Sequence, residues 1–160
     1  MFAIALFDEA EERLFLVRDR FGVKPLYVYF NNEQLIFSSE VKGILRHPSY
    51  SFDINYDALN EYFTFQNIFR FGTLFKGVQM LAPARVLEFD RYLNKKEWSY
   101  WDYDFSNTDD TIDEQVAVEE TLRLFKEAVK RQMVADVDVG SYLSGGMDSG
   151  SITAIASSYV

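Results

Sequence analysis

DVGSYLSGGMDSGSITAIASS, Asp138 to Ser158, is the stretch whose reading decides the fold. The chain enters it from Val137 and stays apolar and β-branched to Leu143, broken by Asp138, Gly140 and Ser141, which is the character of a short strand. Ser144-Gly145-Gly146-Met147-Asp148-Ser149 then turns sharply, and Ile152 to Ser158, rich in Ala and Ile without Pro, suits a helix. Strand, glycine turn and helix start, in that order, build an anion site. Adjacent glycines allow positive φ and let a ligand approach where a Cβ would otherwise stand. The free N–H groups of a first helical turn carry partial positive charge and suit a phosphate. Ser144 and Ser149 add hydroxyls at either end. Asp148 sits badly beside an anion unless a Mg²⁺ is bound by both. The turn therefore reads as a Mg²⁺-nucleotide site. It is not a Walker A loop, because no Lys follows the glycines. A serine-glycine turn capping an ordinary helix is the plainer alternative; all six positions between a strand and a helix favour the functional reading.

Working outward, the 160 residues fit one domain or two small ones, and 48% hydrophobic with 17% aromatic content supplies a core. A net charge of −9 argues against nucleic-acid or anionic-membrane binding, which need basic patches. A polyphosphate ligand must then be drawn by local backbone dipoles and Mg²⁺. With no cysteine there is no disulfide, thiolate metal site or cysteine nucleophile. No run approaches the ~20 apolar residues of a membrane span. The start lacks a basic region and a cleavage site, so a soluble cytoplasmic protein is expected.

Upstream, Phe2–Asp8 is a strand-length apolar run, Glu9–Glu12 an acidic turn and Leu14–Val17 the returning strand. Arg18 to Pro25 breaks the pattern with charge, Gly and Pro; Leu26–Phe30 resumes it, Asn31-Asn32 turns, and Leu35–Ser38 runs back. Four antiparallel strands follow, and their apolar character predicts a sheet covered on both faces. Val41–Leu45 predicts one helical turn before Pro48; His47, beside that Pro, carries no role. Asn55 caps a helix with Leu59, Tyr62 and Phe63 on one face. Strands follow at Val78–Leu81 and Arg85–Phe89, around Ala82-Pro83. The cluster Ser106-Asn107-Thr108-Asp109-Asp110 reads as a linker. Thr111-x-x-Glu114 reads as a capping box opening a helix with an apolar stripe of Val118, Leu122, Phe125 and Val129. Arg18, Asp19 and Lys24 read as a salt-bridge set that fixes the turn before Pro25, with Glu40 and Lys42 structural in the same way. The aromatics Tyr62, Phe63, Phe65, Phe69, Phe71 and Phe75 read as core and interface.

Several of these stretches carry a resemblance. Ser144 to Ser149 resembles the pyrophosphate loop of the ATP pyrophosphatases. Arg18-Asp19-Arg20-Phe21-Gly22-Val23-Lys24-Pro25-Leu26-Tyr27 resembles a signature of the glutamine-hydrolysing asparagine synthetases. Phe37-Ser38-Ser39-Glu40-Val41-Lys42, Gly77 to Pro83 and Tyr100-Trp101-Asp102 resemble further segments of that family, in its order. The resemblance implies a two-part fold. Residues 1–95 would be an α+β antiparallel sheet piece, the later half of a class II (N-terminal-nucleophile) glutamine amidotransferase domain. Residues 96–110 would be a linker. Residues 111–160 would be the start of an α/β parallel-sheet ATP-pyrophosphatase domain.

It implies an asparagine synthase: glutamine is hydrolysed in the first domain, and ammonia attacks β-aspartyl-AMP in the second to give asparagine, AMP and pyrophosphate. ATP and Mg²⁺ are the implied cofactors, aspartate and glutamine the substrates, and the intact enzyme a homodimer. Leu143, Ser144, Gly145, Gly146, Asp148 and Ser149 are the implied ATP- and pyrophosphate-binding residues, with Asp148 the metal ligand. Relatives that amidate another carboxylate, such as a polysaccharide sugar acid, and a non-catalytic nucleotide-binding piece are the alternatives. The family's glutaminase nucleophile is an N-terminal cysteine, which these residues lack, so no catalytic residue is assigned and this chain alone is expected to be inactive. Ala84, Asp138 and Gly150 stand where the family pattern has Gly, Pro and Ser.

Overall fold

The computed structural model describes residues 1–31, 33–109 and 111–159. Asn32 of the expected turn, Asp110 of the expected linker and Val160 lie outside the described residues. The chain divides into two compact units, Met1–Asp104 and Phe105–Val160.

The first unit is α+β, with two antiparallel sheets. β1 (Ala3–Asp8) pairs with β2 (Arg13–Arg18), β2 with β6 (Arg85–Phe89), and β6 with β7 (Lys95–Ser99), giving the order β1-β2-β6-β7. The second sheet, β4-β3-β5, comprises β4 (Leu35–Ser38), β3 (Tyr27–Phe30) and β5 (Val78–Met80). The four early strands therefore belong to two sheets rather than one. The charged Gly22–Pro25 break separates the hairpins, and each then pairs with a strand from residues 78–89.

Leu16, Leu87 and Phe89 of the first sheet meet Val28 of the second, with Leu26 and Leu81, in a common core. The far face of the second sheet is closed by α1 (Val41–Leu45), whose Ile44 is fully buried beside Val78 and Tyr50. Cover on both faces thus holds for the second sheet. It fails for β1, an edge strand with Leu6 55% and Phe7 60% exposed.

Asn55 caps α2 (Tyr56–Phe65) as expected, accepting from the Ala58 N–H at 3.2 Å. The expected apolar face is not buried, however. Ala58 is the buried residue, while Tyr62 and Phe63 are exposed, Phe63 by 77%. Phe65, Phe69 and Phe71 are likewise exposed, so of the aromatic group only Phe75 joins a core.

The second unit holds α3 (Glu114–Gln132), α4 (Met147–Ala156) and a 3₁₀ turn at Ser157–Tyr159. The helix starts later than the capping box requires. Asp113 is the N-cap, accepting from the Gln115 N–H at 2.9 Å, and Glu114 is the first helical residue. Glu114 lies one position after the cap instead of three, so the reciprocal bond of a box cannot form. Thr111 instead bonds Asp109 through its N–H and hydroxyl. Of the apolar stripe only Val129 is buried; Val118 and Leu122 remain exposed. The expected strand Val137–Leu143 does not form a ladder, because among the described residues it has no pairing strand. The two sheets among the described residues are both antiparallel, and neither includes residues 111–159.

Candidate functional site

The turn before α4 is built as its sequence dictates. Gly145 takes φ 83°, a left-handed conformation that a side chain resists, and nothing lies within 4 Å of where its Cβ would sit. Gly146 is the N-cap in extended conformation, offering no side chain to the helix, so the first-turn N–H groups of Met147 and Asp148 have no capping oxygen from it. Asp148 lies in that first turn. The two serines close on one another across the turn: their hydroxyl oxygens are 2.9 Å apart. The Ser144 N–H donates to Ser149 Oγ at 3.3 Å, and the Ser149 hydroxyl lies 3.2 Å from the Gly146 carbonyl, to which it can donate.

The structure thus brings Ser144, Gly145, Gly146, Asp148 and Ser149 together in one exposed turn. Leu143 adjoins it, exposed and outside any strand. The Ser144–Ser149 hydroxyl pair is a feature that sequence reading missed; two serines five residues apart across a glycine pair are its signal. Gly150, which replaces an expected Ser, has open space around the position of a Cβ.

Among the described residues no group of three or more His, Asp or Glu could hold a metal by itself. Asp148 is the sole carboxylate of the turn. Asp148 would be the one protein oxygen donor for a Mg²⁺ that arrives with a polyphosphate, a set that this ion accepts.

In the first unit, Arg18 and Asp19 form a backbone-binding node instead of the expected salt-bridge set. Arg18, 5% exposed, donates to the carbonyls of Lys24, Gly22 and Leu81. Asp19, 4% exposed, accepts the N–H groups of Phe2, Phe21, Val23 and Lys24 at 2.9–3.3 Å. Burial pushes the Asp19 carboxyl up, but those four N–H groups outweigh it and hold it at about 2. Lys24 contributes only its backbone to this node. A carboxylate ringed by four amides needs no cation. The Tyr100 hydroxyl donates to the Arg18 carbonyl at 2.9 Å, and the Tyr100 N–H to the Ala84 carbonyl at 3.0 Å, tying the Tyr-Trp-Asp segment to the same node. Lys42 pairs with Glu40 at the surface.

Among the described residues no helix is long and apolar enough to cross a membrane. Residues 1–101 match the family described as glutamine amidotransferase domain, and residues 120–160 match asparagine synthase. The glutamine-hydrolysing asparagine synthetase 3 of Bacillus subtilis is 39% identical over 160 residues, covering 99% of this chain and 26% of that protein. A putative glutamine-hydrolysing asparagine synthetase 2 of Methanocaldococcus jannaschii is 36% identical over 97% of this chain and 30% of its own length. The Bacillus subtilis asparagine synthetase 2 is 32% identical over 98% and 22% respectively. The chain spans about a quarter of the length of these curated relatives. With a family match over residues 1–101, the chain belongs to the glutamine amidotransferase domain family.

Proposed function

We propose that this chain is part of an ATP-dependent amidotransferase of the asparagine synthase kind. The whole enzyme would convert aspartate, glutamine and ATP to asparagine, glutamate, AMP and pyrophosphate through β-aspartyl-AMP. One observation carries the reading: an exposed glycine turn at the start of α4, with the Ser144 and Ser149 hydroxyls paired across it and Asp148 in the first helical turn.

In this reading the first-turn N–H groups of Met147 and Asp148 bind oxygens of the β- and γ-phosphates. Ser144 and Ser149 exchange their mutual hydrogen bond for phosphate oxygens, so the donors are already placed before ligand arrives. Gly145 and Gly146 keep the approach clear. Asp148 would hold a Mg²⁺, which would supply charge neutralisation to the polyphosphate. These contacts hold the leaving group while the substrate carboxylate attacks the α-phosphorus and breaks its bond to the bridging oxygen. Local donors must do the attracting, since the chain carries −9 overall.

The products test this reading. Full-length protein given aspartate, glutamine and ATP should form AMP and pyrophosphate in step with asparagine. Formation of ADP and phosphate instead would place the attack on the γ-phosphate and refute it.

A further inference from the structure

The first unit holds a cleft of about 340 Å³ that the amidotransferase reading does not use. It opens between β5 and β7, the edge strands of the two sheets. Its floor is the common core: Val28, Leu81, Leu87 and Phe89. Phe30 forms a wall, its ring 5.1 Å from that of Phe89. The rim is charged, by Arg70 on one side and the Lys95–Glu97 pair, 3.0 Å apart, on the other. Two cations and one carboxylate leave that rim at +1 on a chain of −9. Lys95 already answers Glu97, whereas the Arg70 guanidinium has no hydrogen-bond or ion-pair partner among the described residues.

We infer that this cleft binds a small carboxylic acid with an apolar body, its carboxylate on Arg70 and its hydrocarbon part against Phe30, Leu87 and Phe89. The size matches that of small-molecule pockets, and the lining is mixed: Phe30 and the edges of the core residues stand beside the polar side chains of Arg70, Gln79, Lys95 and Glu97. A planar guanidinium without a partner selects a carboxylate because it can donate two parallel N–H bonds to it. An amide of the same shape offers one neutral acceptor and forfeits the charge-assisted pair.

The test uses 3-phenylpropanoate and its uncharged analogue 3-phenylpropanamide as probes, followed by saturation-transfer NMR on the whole chain. The acid should bind at millimolar concentration with signal on its ring protons, and the amide about ten-fold or more weakly. Arg70→Gln should weaken the acid by about ten-fold while leaving the amide unchanged, and Arg70→Lys should restore part of the difference. Arg70 lies on an exposed loop, so circular dichroism of these variants should match that of the parent. Equal binding of acid and amide, indifference to Arg70→Gln, or no transfer to either probe would each overturn the inference.

Discussion

Ala84 sits at φ 54° and is 4% exposed, where the family pattern has Gly. A Cβ in the left-handed region costs roughly 1–2 kcal/mol. Burying one methyl returns about 0.8 kcal/mol, and Ala also loses less chain entropy than Gly on folding. The terms nearly cancel, which is why Ala is tolerated there. Ala84→Gly should therefore shift stability by less than ~1 kcal/mol, while Ala84→Val, β-branched in that conformation, should lose ~2 kcal/mol or more. Urea melts at low protein concentration compare the two.

Asp19 gives a second residue-scale test. Its folded value is about 2, below the ~4 of an unfolded chain, so the sign follows directly. Its stabilisation is complete above pH ~4 and is lost as pH falls through ~2, on the order of 2 kcal/mol in all. Asp19→Asn should be destabilised near neutral pH and should lose that slope between pH 4 and 2. A parallel decline in both proteins would mean the node does not hold the carboxylate. Gly22 closes the same node: a Cβ there would stand 2.9 Å from Arg18 Cζ and Pro83 Cγ, so Gly22→Ala should unfold the turn that Arg18 braces.

At the scale of elements, the strand positions were legible because apolar runs end at Gly, Pro or charge. Leu35–Ser38 and Arg85–Phe89 emerge with the same bounds in sequence and structure. The grouping into sheets was not legible, since the partner of β2 is β6, some seventy residues on, and no local pattern encodes that pairing. β7, Lys-Lys-Glu-Trp-Ser, escaped because its residues are exposed and charged, so it lacks the alternation that marks a half-buried strand. Its ladder to β6 makes it a strand all the same. At 137–143 the opposite happened: strand character without a partner yields no strand. The glycine turn at 144–149 was legible as a turn before a helix, but the serine pairing depends on how Gly145 folds it. For α3, Thr111 and Asp113 competed as caps, and Asp113 bonds the Gln115 N–H. Asp113→Ala should lower helicity by an amount worth ~1 kcal/mol, and Thr111→Ala should leave it nearly unchanged. Far-UV circular dichroism of the two variants separates the assignments; a larger loss from Thr111→Ala would restore the capping box.

The whole molecule exposes what each unit fails to cover. β1 presents an open edge carrying Ile4, Leu6 and Phe7, with no Lys or Pro to guard it. The second unit pairs two helices without a sheet, and Leu122, Leu124 and Val137 stay in solvent. Ordering a residue costs ~1–2 kcal/mol before burial offsets it, so so little core leaves that unit near marginal stability. The 160 residues alone should associate in solution, and Leu6→Lys should reduce that association. A monodisperse monomer in light scattering, with a cooperative urea transition, would show the edge to be harmless. The same chain should release no ammonia from glutamine above a blank, because it contains no cysteine to act as nucleophile.

The measurement closest to the central claim is pyrophosphate exchange into ATP, driven by aspartate, in protein carrying the complete synthetase domain. If the turn at 144–149 holds the leaving pyrophosphate through Asp148 and Mg²⁺, Asp148→Ala should abolish exchange while the protein stays folded. Exchange at the parent rate in Asp148→Ala would contradict the account.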